Sequence, residues 1–235
     1  MKHKKITKNI KKLDTSFFNE CLQLGKQGLY ERLEKKLLKL ILNKNIKESW
    51  PYKLLGINYY IKKKYSLAKN NLIHYLNFFP DDHESLLCLS YITFENHSFK
   101  ECLNYSSKAI MTKKDNYKAY ILLANSYLKL KDFKAGLEVL EKAQKLFPDS
   151  IEIKNNLITL NDHAGNYDEA IFLAKNLFKK NKTNESLAVN LGSLYFNKGE
   201  FNKSLNYFNR SFRDEKVKNH SLFLKSQISF FQNRY

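Results

Sequence analysis

Histidines and cysteines are the residues of this chain whose side chains could bind a metal ion or supply a nucleophile. The chain of 235 residues has six histidines and three cysteines. Metal sites bring such residues together at short, characteristic separations. No histidine here has a ligand-like separation from another histidine or from a cysteine; they stand at His3, His74, His83, His97, His163 and His220, and at Cys21, Cys88 and Cys102. The sequence therefore predicts no metal site and no cofactor.

Carboxylates are the other candidates for chemistry, and the densest acidic group is Asp81, Asp82 and Glu84. This group comes directly before a stretch with helical spacing, so capping of the helix and complementarity to its dipole account for it. No glycine-rich phosphate loop, nucleophile elbow or pair of catalytic carboxylates can be recognised. We therefore predict that the chain contains no catalytic residue and is not an enzyme.

Asparagine is the residue type with the clearest chemistry for binding. A side-chain amide donates and accepts hydrogen bonds, so amides at regular intervals suit the backbone of an extended peptide. Asn156 and Asn190 each stand directly before a leucine, Leu157 and Leu191. The separation between these two asparagines recurs along the chain. The structural elements that repeat at this separation must position any such binding site.

A step of about 34 residues organises most of the sequence, and steps of this size are typical of repeat architectures. Leucine recurs at Leu55, Leu89, Leu123, Leu157 and Leu191. An aromatic ring recurs at Tyr65, Phe99, Phe133, Tyr167, Phe201 and Tyr235. Small residues form a third column at Ala68, Cys102, Gly136, Ala170 and Ser204. Several columns that share one step indicate an array of one repeated unit.

Each unit has the pattern of two helices. Apolar residues such as Tyr120 and Leu123 have helical spacing, and a short polar break such as 131–132 separates two such stretches. We expect an antiparallel hairpin in which the small column lets the two backbones approach closely. Gly165 and Gly199 stand in the breaks, where a helix end favours a left-handed residue. Because no stretch alternates with the period of a strand, the predicted fold class is all-α.

The pattern resembles that of the tetratricopeptide repeat (TPR) family. The stretch that matches the family motif most fully consists of Leu191, Gly192, Tyr195, Gly199, Phe201 and Ser204. The resemblance extends over residues 14–235 and implies a right-handed α-solenoid of antiparallel helix hairpins. A single hairpin cannot bury its own apolar face, so consecutive hairpins must stack.

The repeat register predicts one solenoid domain over residues 14–235, after a basic tail over residues 1–13. The domain would comprise a degenerate repeat over 14–48, full repeats over 49–82, 83–116, 117–150, 151–184 and 185–218, and a half repeat over 219–235. With only 7 glycines and 3 prolines, the chain offers no linker that would divide this array.

The first helix of each pair lines the concave face of such a solenoid. Counting from each repeat start, we predict that a peptide-binding groove is lined by Trp50, Lys53, Ile57, Leu87, Tyr91, Ile121, Asn125, Asn156 and Asn190. The last two asparagines, which lie one repeat apart, resemble the ladder in the TPR arms of O-linked N-acetylglucosamine transferases, which holds an extended peptide. Tyr60 and Phe94 either face this groove or pack between adjacent repeats.

The chain is strongly basic, with 41 Lys and Arg against 23 Asp and Glu and a formal net charge of +18. Lysines are spread over solvent-facing positions of every repeat, so we predict nonspecific attraction to polyanions and no specific nucleic-acid recognition. The sequence shows no apolar signal region and no apolar run long enough to span a membrane. With an odd number of scattered cysteines, these features predict a cytoplasmic protein.

Two functions follow as hypotheses. The first is a non-catalytic scaffold that binds an extended peptide or protein partner in its groove. The second is the substrate-recruiting arm of a larger enzyme, because residues 50–56 resemble the opening repeats of bacterial TPR proteins that continue into a glycosyltransferase, sulfotransferase or oxygenase domain. The length of the natural open reading frame distinguishes the two.

The final helix of the pattern is also a candidate interface. Residues 219–235 contain apolar and aromatic side chains on more than one side, at Leu222, Phe223, Phe230, Phe231 and Tyr235. A terminal repeat normally presents a polar outer face. We therefore expect an exposed apolar patch there and possible self-association through this helix.

Overall fold

A computed structural model describes residues 15–42, 48–180, 184–209 and 215–232. Within these ranges the chain forms thirteen α-helices and no strand, which confirms the all-α prediction. Helix α1 occupies residues 15–26. The later helices, in chain order, are α2 Tyr30–Leu42, α3 Trp50–Ile61, α4 Tyr65–Leu76, α5 His83–Glu95, α6 Phe99–Thr112, α7 Tyr117–Lys129, α8 Phe133–Leu146, α9 Ile151–His163, α10 Tyr167–Lys180, α11 Glu185–Asn197, α12 Phe201–Phe208 and α13 Glu215–Gln232. The predicted basic tail lies outside the described residues, as does Tyr235. None of the described helices has the length and apolar character needed to cross a membrane.

The helices form two compact units, the first ending at Lys114 and the second beginning at Asp115. In the first unit α3 pairs with α4 and α5 with α6; in the second α7 pairs with α8, α9 with α10 and α11 with α12. Consecutive pairs also pack on each other inside each unit, through α4 and α5, through α8 and α9, and through α10 and α11. Helix α13 packs on α11 and α12. The fold class is therefore an all-α solenoid of helix hairpins.

The two helices of a pair cross closely at the column of small residues. The Cys102 thiol donates to the Ser90 carbonyl with a sulfur–oxygen distance of 3.1 Å, and the Ser204 hydroxyl donates to the Gly192 carbonyl at 2.7 Å. Both contacts join the same two positions of the repeat, three repeats apart. Side chains as short as those of Cys102 and Ser204 reach the backbone of the partner helix only because the two helices are close at this column. The predicted role of this column is confirmed.

The repeated leucines lie inside the packed pairs. Their exposed fractions are 2% for Leu55, 0% for Leu89, 7% for Leu123, 3% for Leu157 and 0% for Leu191. Burial of such side chains is the main source of folding free energy, at roughly 1.5–3 kcal/mol for each. The buried residues of the core therefore recur with the same period as the sequence pattern.

Five hairpin turns, from the turn between α3 and α4 onward, contain one residue with a left-handed backbone at intervals of one repeat, and Gly28 (φ 73°) has the same conformation between α1 and α2. The five residues are Lys63 (φ 57°), His97 (φ 58°), Lys131 (φ 62°), Gly165 (φ 78°) and Gly199 (φ 84°). The prediction for the two glycines is confirmed. The left-handed conformation costs a residue with a Cβ atom about 1–2 kcal/mol, so the other three turns carry strain that the packing of their helices must offset.

Side-chain caps begin several of the first helices. The backbone N–H of Ser85 donates to Asp82 Oδ2 at 2.9 Å, and the N–H of Leu187 donates to Asn184 Oδ1 at 3.0 Å. Each cap satisfies a backbone donor that the helix itself leaves without an acceptor. The capping role predicted for the acidic group at residues 81–84 is thus confirmed at Asp82.

Exchanging residue types at two of the left-handed turns should move stability in opposite directions. Replacing Lys131 with Gly should raise the free energy of unfolding by about 0.5–1 kcal/mol, because strain is relieved at a small cost in chain entropy. Replacing Gly199 with Ala should lower it by about 1 kcal/mol through the backbone alone, since a new Cβ atom would meet nothing within 4 Å. Chemical denaturation measures both changes.

Replacing Lys142 with Gly is the matched control. Lys142 is an exposed lysine inside α8, where glycine costs about 1 kcal/mol relative to a good helix former. Stabilisation by Lys131→Gly combined with destabilisation by Lys142→Gly is the expected result. Destabilisation by both changes would contradict the strain assigned to the turn.

Candidate functional site

The residues predicted to line the groove belong to both compact units. The first unit contains Trp50, Lys53, Ile57, Leu87 and Tyr91. The second contains Ile121, Asn125, Asn156 and Asn190.

Trp50 begins α3 and packs against α1. Its ring centroid lies 5.0 Å from that of Phe18 in an edge-on arrangement, and 6.4 Å from that of Phe17. Its indole N–H donates to the carboxylate of Glu48. The half-buried tryptophan therefore joins α3 to α1 and presents only part of its surface to solvent.

Lys53 connects α3 to the beginning of α5. Its ammonium lies 2.9 Å from Asp82 Oδ1 and 2.8 Å from Glu84 Oε2. Burial lowers the pKa of Lys53, but hydrogen bonds to Glu84 and Asp82 outweigh this effect and leave the pKa above its ordinary value. Lys53 thus stays charged at neutral pH, and its charge is already shared between two carboxylates.

Ile57 lines an apolar pocket of about 290 Å³ in the first unit. Leu54, Asn58 and Ile61 of the same helix line it too. The rest of the lining comes from α1, α2 and the start of α5: Cys21, Leu22, Gly25, Lys26, Tyr30, Leu33 and Glu84. Leu54 and Ile57 are half-buried and Ile61 is exposed, so the pocket opens to solvent.

Asn58 is the one asparagine of this pocket, and it is only 1% exposed. Its Nδ2 donates to the Tyr30 carbonyl at 3.2 Å, whereas its Oδ1 has no donor within hydrogen-bond distance. A buried acceptor without a donor costs about 1–3 kcal/mol. The oxygen has almost no solvent-accessible surface, so a donor on a ligand reaches it only when the side chains that cover it move.

Asn58 is not among the residues predicted from the sequence to bind a peptide, although its column in the repeat indicates that it is unusual. The same place in the later repeats is occupied by Ile92, Ser126, Leu160 and Leu194. A side-chain amide in a column of mostly apolar residues indicates either a compensating internal hydrogen bond or a ligand. Here the amide nitrogen has an internal partner and the amide oxygen does not.

Tyr91 lies on α5, beside the ring of Tyr60 in the preceding repeat. The two centroids are 6.3 Å apart, and Tyr60 lies at the same distance from Tyr65. Burial raises the pKa of Tyr60 to about 12, with nearby Cys88 contributing further. Tyr60 therefore packs between adjacent repeats, whereas Phe94 contacts Phe99 of its own pair at 5.5 Å. Leu87, on the same helix as Tyr91, is half-buried.

The second unit presents a more polar set of residues. Asn156 donates through Nδ2 to the Glu152 carbonyl of its own helix at 2.8 Å, which leaves its Oδ1 for other partners. Asn190 is exposed, and Asn125 and Ile121 are half-buried. Each of these side chains belongs to the first helix of a pair.

A hydrogen bond also joins the first helices of two consecutive pairs in the second unit. Asn197 Nδ2 donates to Asp162 Oδ1 at 2.9 Å and so joins α11 to α9. The second unit therefore offers amide and carboxylate groups, in contrast to the apolar pocket of the first.

The cysteines are unsuited to chemistry at neutral pH. Burial raises the pKa of Cys21 to about 11 and that of Cys88 to about 12, so both remain thiols. Among the described residues, no group of three or more histidine, cysteine or acidic side chains is arranged to hold a metal ion.

Comparison with known proteins identifies the repeats. The family model for the tetratricopeptide repeat matches residues 117–150 and 185–213. No curated protein matches the chain.

Solved structures of similar fold include a tetratricopeptide repeat protein from Parabacteroides merdae ATCC 43184, with 16% identity over 93% of this chain and 86% of that one, at a TM-score of 0.75. A thermophilic TPR protein of Thermus thermophilus has 17% identity over 75% of this chain and 98% of that one, at a TM-score of 0.56. YrrB, a TPR protein with an unusual peptide-binding site, has 15% identity over 85% and 98%, at a TM-score of 0.63.

These structural similarities concern the fold, since all the identities are low. They agree with the repeat period, the helix pairs and the matches to the family model. Residues 117–150 and 185–213 are thus tetratricopeptide repeats, and the chain has the all-α solenoid fold of tetratricopeptide repeat proteins.

Proposed function

We propose that the chain is a non-catalytic scaffold that binds an extended segment of a protein partner. The observation that carries this proposal is the pocket around Ile57, with the unsatisfied oxygen of Asn58 in its lining. An apolar side chain of the partner would enter the pocket. A neighbouring backbone N–H of the same partner would donate to Asn58 Oδ1 once the side chains that cover this oxygen have moved.

The open form of the pocket favours one side chain of an extended segment over a cofactor. Pockets that enclose small-molecule ligands begin at about 300 Å³ and are closed on most sides. This pocket, of about 290 Å³, is open and is formed by three helices and the first turn of a fourth. An extended chain can continue across such an opening, whereas a compact ligand would leave much of its surface in water.

The asparagines of the second unit support a related proposal. Asn125, Asn156 and Asn190 would hydrogen-bond the backbone of an extended segment, because an amide serves both its N–H and its C=O groups. Asn190 is exposed and Asn156 retains a side-chain oxygen for this purpose. Binding of this kind depends little on the sequence of the partner.

Replacing Asn58 with Leu tests the pocket. We expect an unchanged or higher melting temperature, because the substitution removes a buried acceptor that has no donor. We also expect about tenfold weaker binding of a peptide selected on the whole chain from a random display library, which corresponds to about 1.4 kcal/mol. Fluorescence anisotropy measures the affinity, and thermal unfolding measures the stability.

The matched control is Asn161→Leu. Asn161 is 5% exposed, but both ends of its amide are bonded, to the Leu157 carbonyl at 3.0 Å and from Asn166 at 3.2 Å. This variant should lose stability and retain affinity. Ile57→Glu should lose affinity, because a carboxylate would stand in the apolar pocket. Retained affinity in both Asn58→Leu and Ile57→Glu would contradict the proposed pocket.

Replacing Asn156 and Asn190 together with Ala tests the amide contacts. Loss of two neutral hydrogen bonds should weaken peptide binding by about 1–3 kcal/mol and leave the melting temperature nearly unchanged. The control pair is Asn71→Ala with Asn176→Ala on second helices, since Asn71 makes the same kind of bond to its own helix, at 2.8 Å to the Leu67 carbonyl. If the variant Asn156→Ala with Asn190→Ala loses as much stability as affinity, these two asparagines stabilise the fold and do not bind the peptide.

Self-association through α13 is a second proposal, and it rests on the surface of that helix. Leu222, Phe223 and Phe230 are 50%, 57% and 55% exposed, whereas Leu224 and Ile228 are buried against the rest of the unit. Phe223 and Phe230 are separated by two helical turns and so share one side of the helix. A second copy of the chain could cover this side, since exposed apolar patches commonly mark interfaces.

Sedimentation velocity over a range of concentrations tests the second proposal. We expect a dimer to appear as concentration rises and to be lost in the double variant Leu222→Ser with Phe223→Ser. The control is Phe172→Ser, because Phe172 is 59% exposed on α10 and lies outside the patch. A monomer at every concentration would contradict self-association through α13.

A further inference from the structure

A second pocket, of about 340 Å³, lies in the second unit and is mainly polar. Its lining consists of Lys175, Tyr195, Lys203, Asn206 and Tyr207. Four of these residues belong to α10 and α12, the second helices of their pairs. The pocket is therefore separate from the residues proposed to bind a peptide, which lie on first helices.

Two stacked tyrosine rings form one side of this pocket. Tyr195 is only 4% exposed, and its ring stacks on that of Tyr207 with centroids 5.7 Å apart. Lys175 Nζ lies 5.5 Å from the centroid of Tyr195, and Lys203 Nζ lies 5.7 Å from it. Both ammonium groups thus lie beside one buried ring.

The two lysines differ in how their charges are balanced. Lys203 Nζ lies 2.5 Å from Glu200 Oε2, and the other oxygen of that carboxylate binds Lys198 at 2.8 Å. Lys175 forms no ion pair within the described part of the second unit. A hydrogen bond to the Tyr195 hydroxyl raises the pKa of Lys175, so it remains charged at neutral pH. The pocket therefore retains an ammonium group that is in direct contact with no carboxylate of the described residues, although Glu200 attracts it from a greater distance.

This pair of lysines does not follow from the general basic character of the chain. The places equivalent to Lys203 in earlier repeats hold Leu67, Glu101, Ala135 and Glu169. The places equivalent to Lys175 hold Ile73, Ser107 and Glu141. In the first unit, the hydroxyl of the equivalent Tyr59 has Glu34 as its hydrogen-bond partner. Acidic residues are thus common in earlier repeats at the positions that hold the two lysines of this pocket.

We propose that the pocket binds a phosphate group, either free or as a monoester on a partner. Lys175, Lys203 and Asn206 provide donors around one space, and a phosphate presents three oxygens and a charge of about −1.5 to −2 at neutral pH. A carboxylate carries only one negative charge, so two ammonium groups attract it less strongly than they attract a phosphate. Contacts from an ammonium to a charged oxygen are about twice as strong as neutral hydrogen bonds.

Calorimetric titration of the full chain at constant ionic strength tests this proposal, with inorganic phosphate, O-phosphoserine and acetate as probes. The test variant is Lys175→Gln with Lys203→Gln. The control is Lys134→Gln with Lys142→Gln, which removes the same charge from exposed positions on α8 of the same unit. Phosphate affinity should fall about tenfold in the test variant, which corresponds to about 1.4 kcal/mol, and should stay unchanged in the control.

The probes separate the two sources of the phosphate. Equal affinities for inorganic phosphate and O-phosphoserine support a site for free phosphate, and tighter binding of O-phosphoserine supports a phosphorylated partner. Binding of acetate as tight as that of phosphate, or equal losses in the test and control variants, would overturn the proposal. If circular dichroism shows that the test variant is unfolded, Asn206→Ala replaces it, because this residue at the surface tolerates truncation and its loss should still weaken phosphate binding.

Discussion

The close crossing of paired helices is the constraint on which the rest of this structure depends. At the crossing, a side chain of the second helix reaches the backbone carbonyl of the first, as Ser204 does at Gly192. A Cβ atom built on Gly136 would already lie 3.3 Å from the Ala124 carbonyl, and one on Gly192 would lie 2.3 Å from an atom of the Phe208 ring. Larger residues would push the helices apart and open the core beneath them.

That crossing decides which sides of the helices remain for binding. Because each pair is closed on its inner side and stacked on its neighbours, the first helices retain one side that no helix of their own pair covers. In the first unit that side carries apolar residues around the pocket at Ile57, and in the second it carries amides such as Asn190. A regular frame thus supports two chemically different surfaces.

Ion pairs between successive repeats use many of the lysines. Lys53 binds Glu84 at 2.8 Å, Lys69 binds Glu101 at 2.5 Å and Lys198 binds Asp168 at 2.6 Å, each across about one repeat. Exposed pairs of this kind contribute only about 0–1 kcal/mol each. Their main effect is to neutralise charge locally, so a lysine that contacts no carboxylate in the described part of the chain, such as Lys175, is more informative than the net charge of the chain.

The sequence by itself determined the features that repeat. Its period alone is enough to predict the helix pairs, the buried leucines, the small residues at the crossing and the left-handed turns at Gly165 and Gly199. It did so because each of these features is local to one repeat or to the contact between equivalent positions of two helices. The N-cap at Asp82 could be predicted for the same reason, since capping needs only a few adjacent residues.

Only the tertiary structure decided what the non-repeating side chains contact. It brought Trp50 against α1, placed Lys53 between two carboxylates and left the oxygen of Asn58 in a pocket without a donor. It also brought Lys175 and Lys203 to the same tyrosine ring, although they belong to different repeats. Such contacts depend on the size and direction of side chains from different repeats, and a periodic pattern carries no information about residues that depart from it.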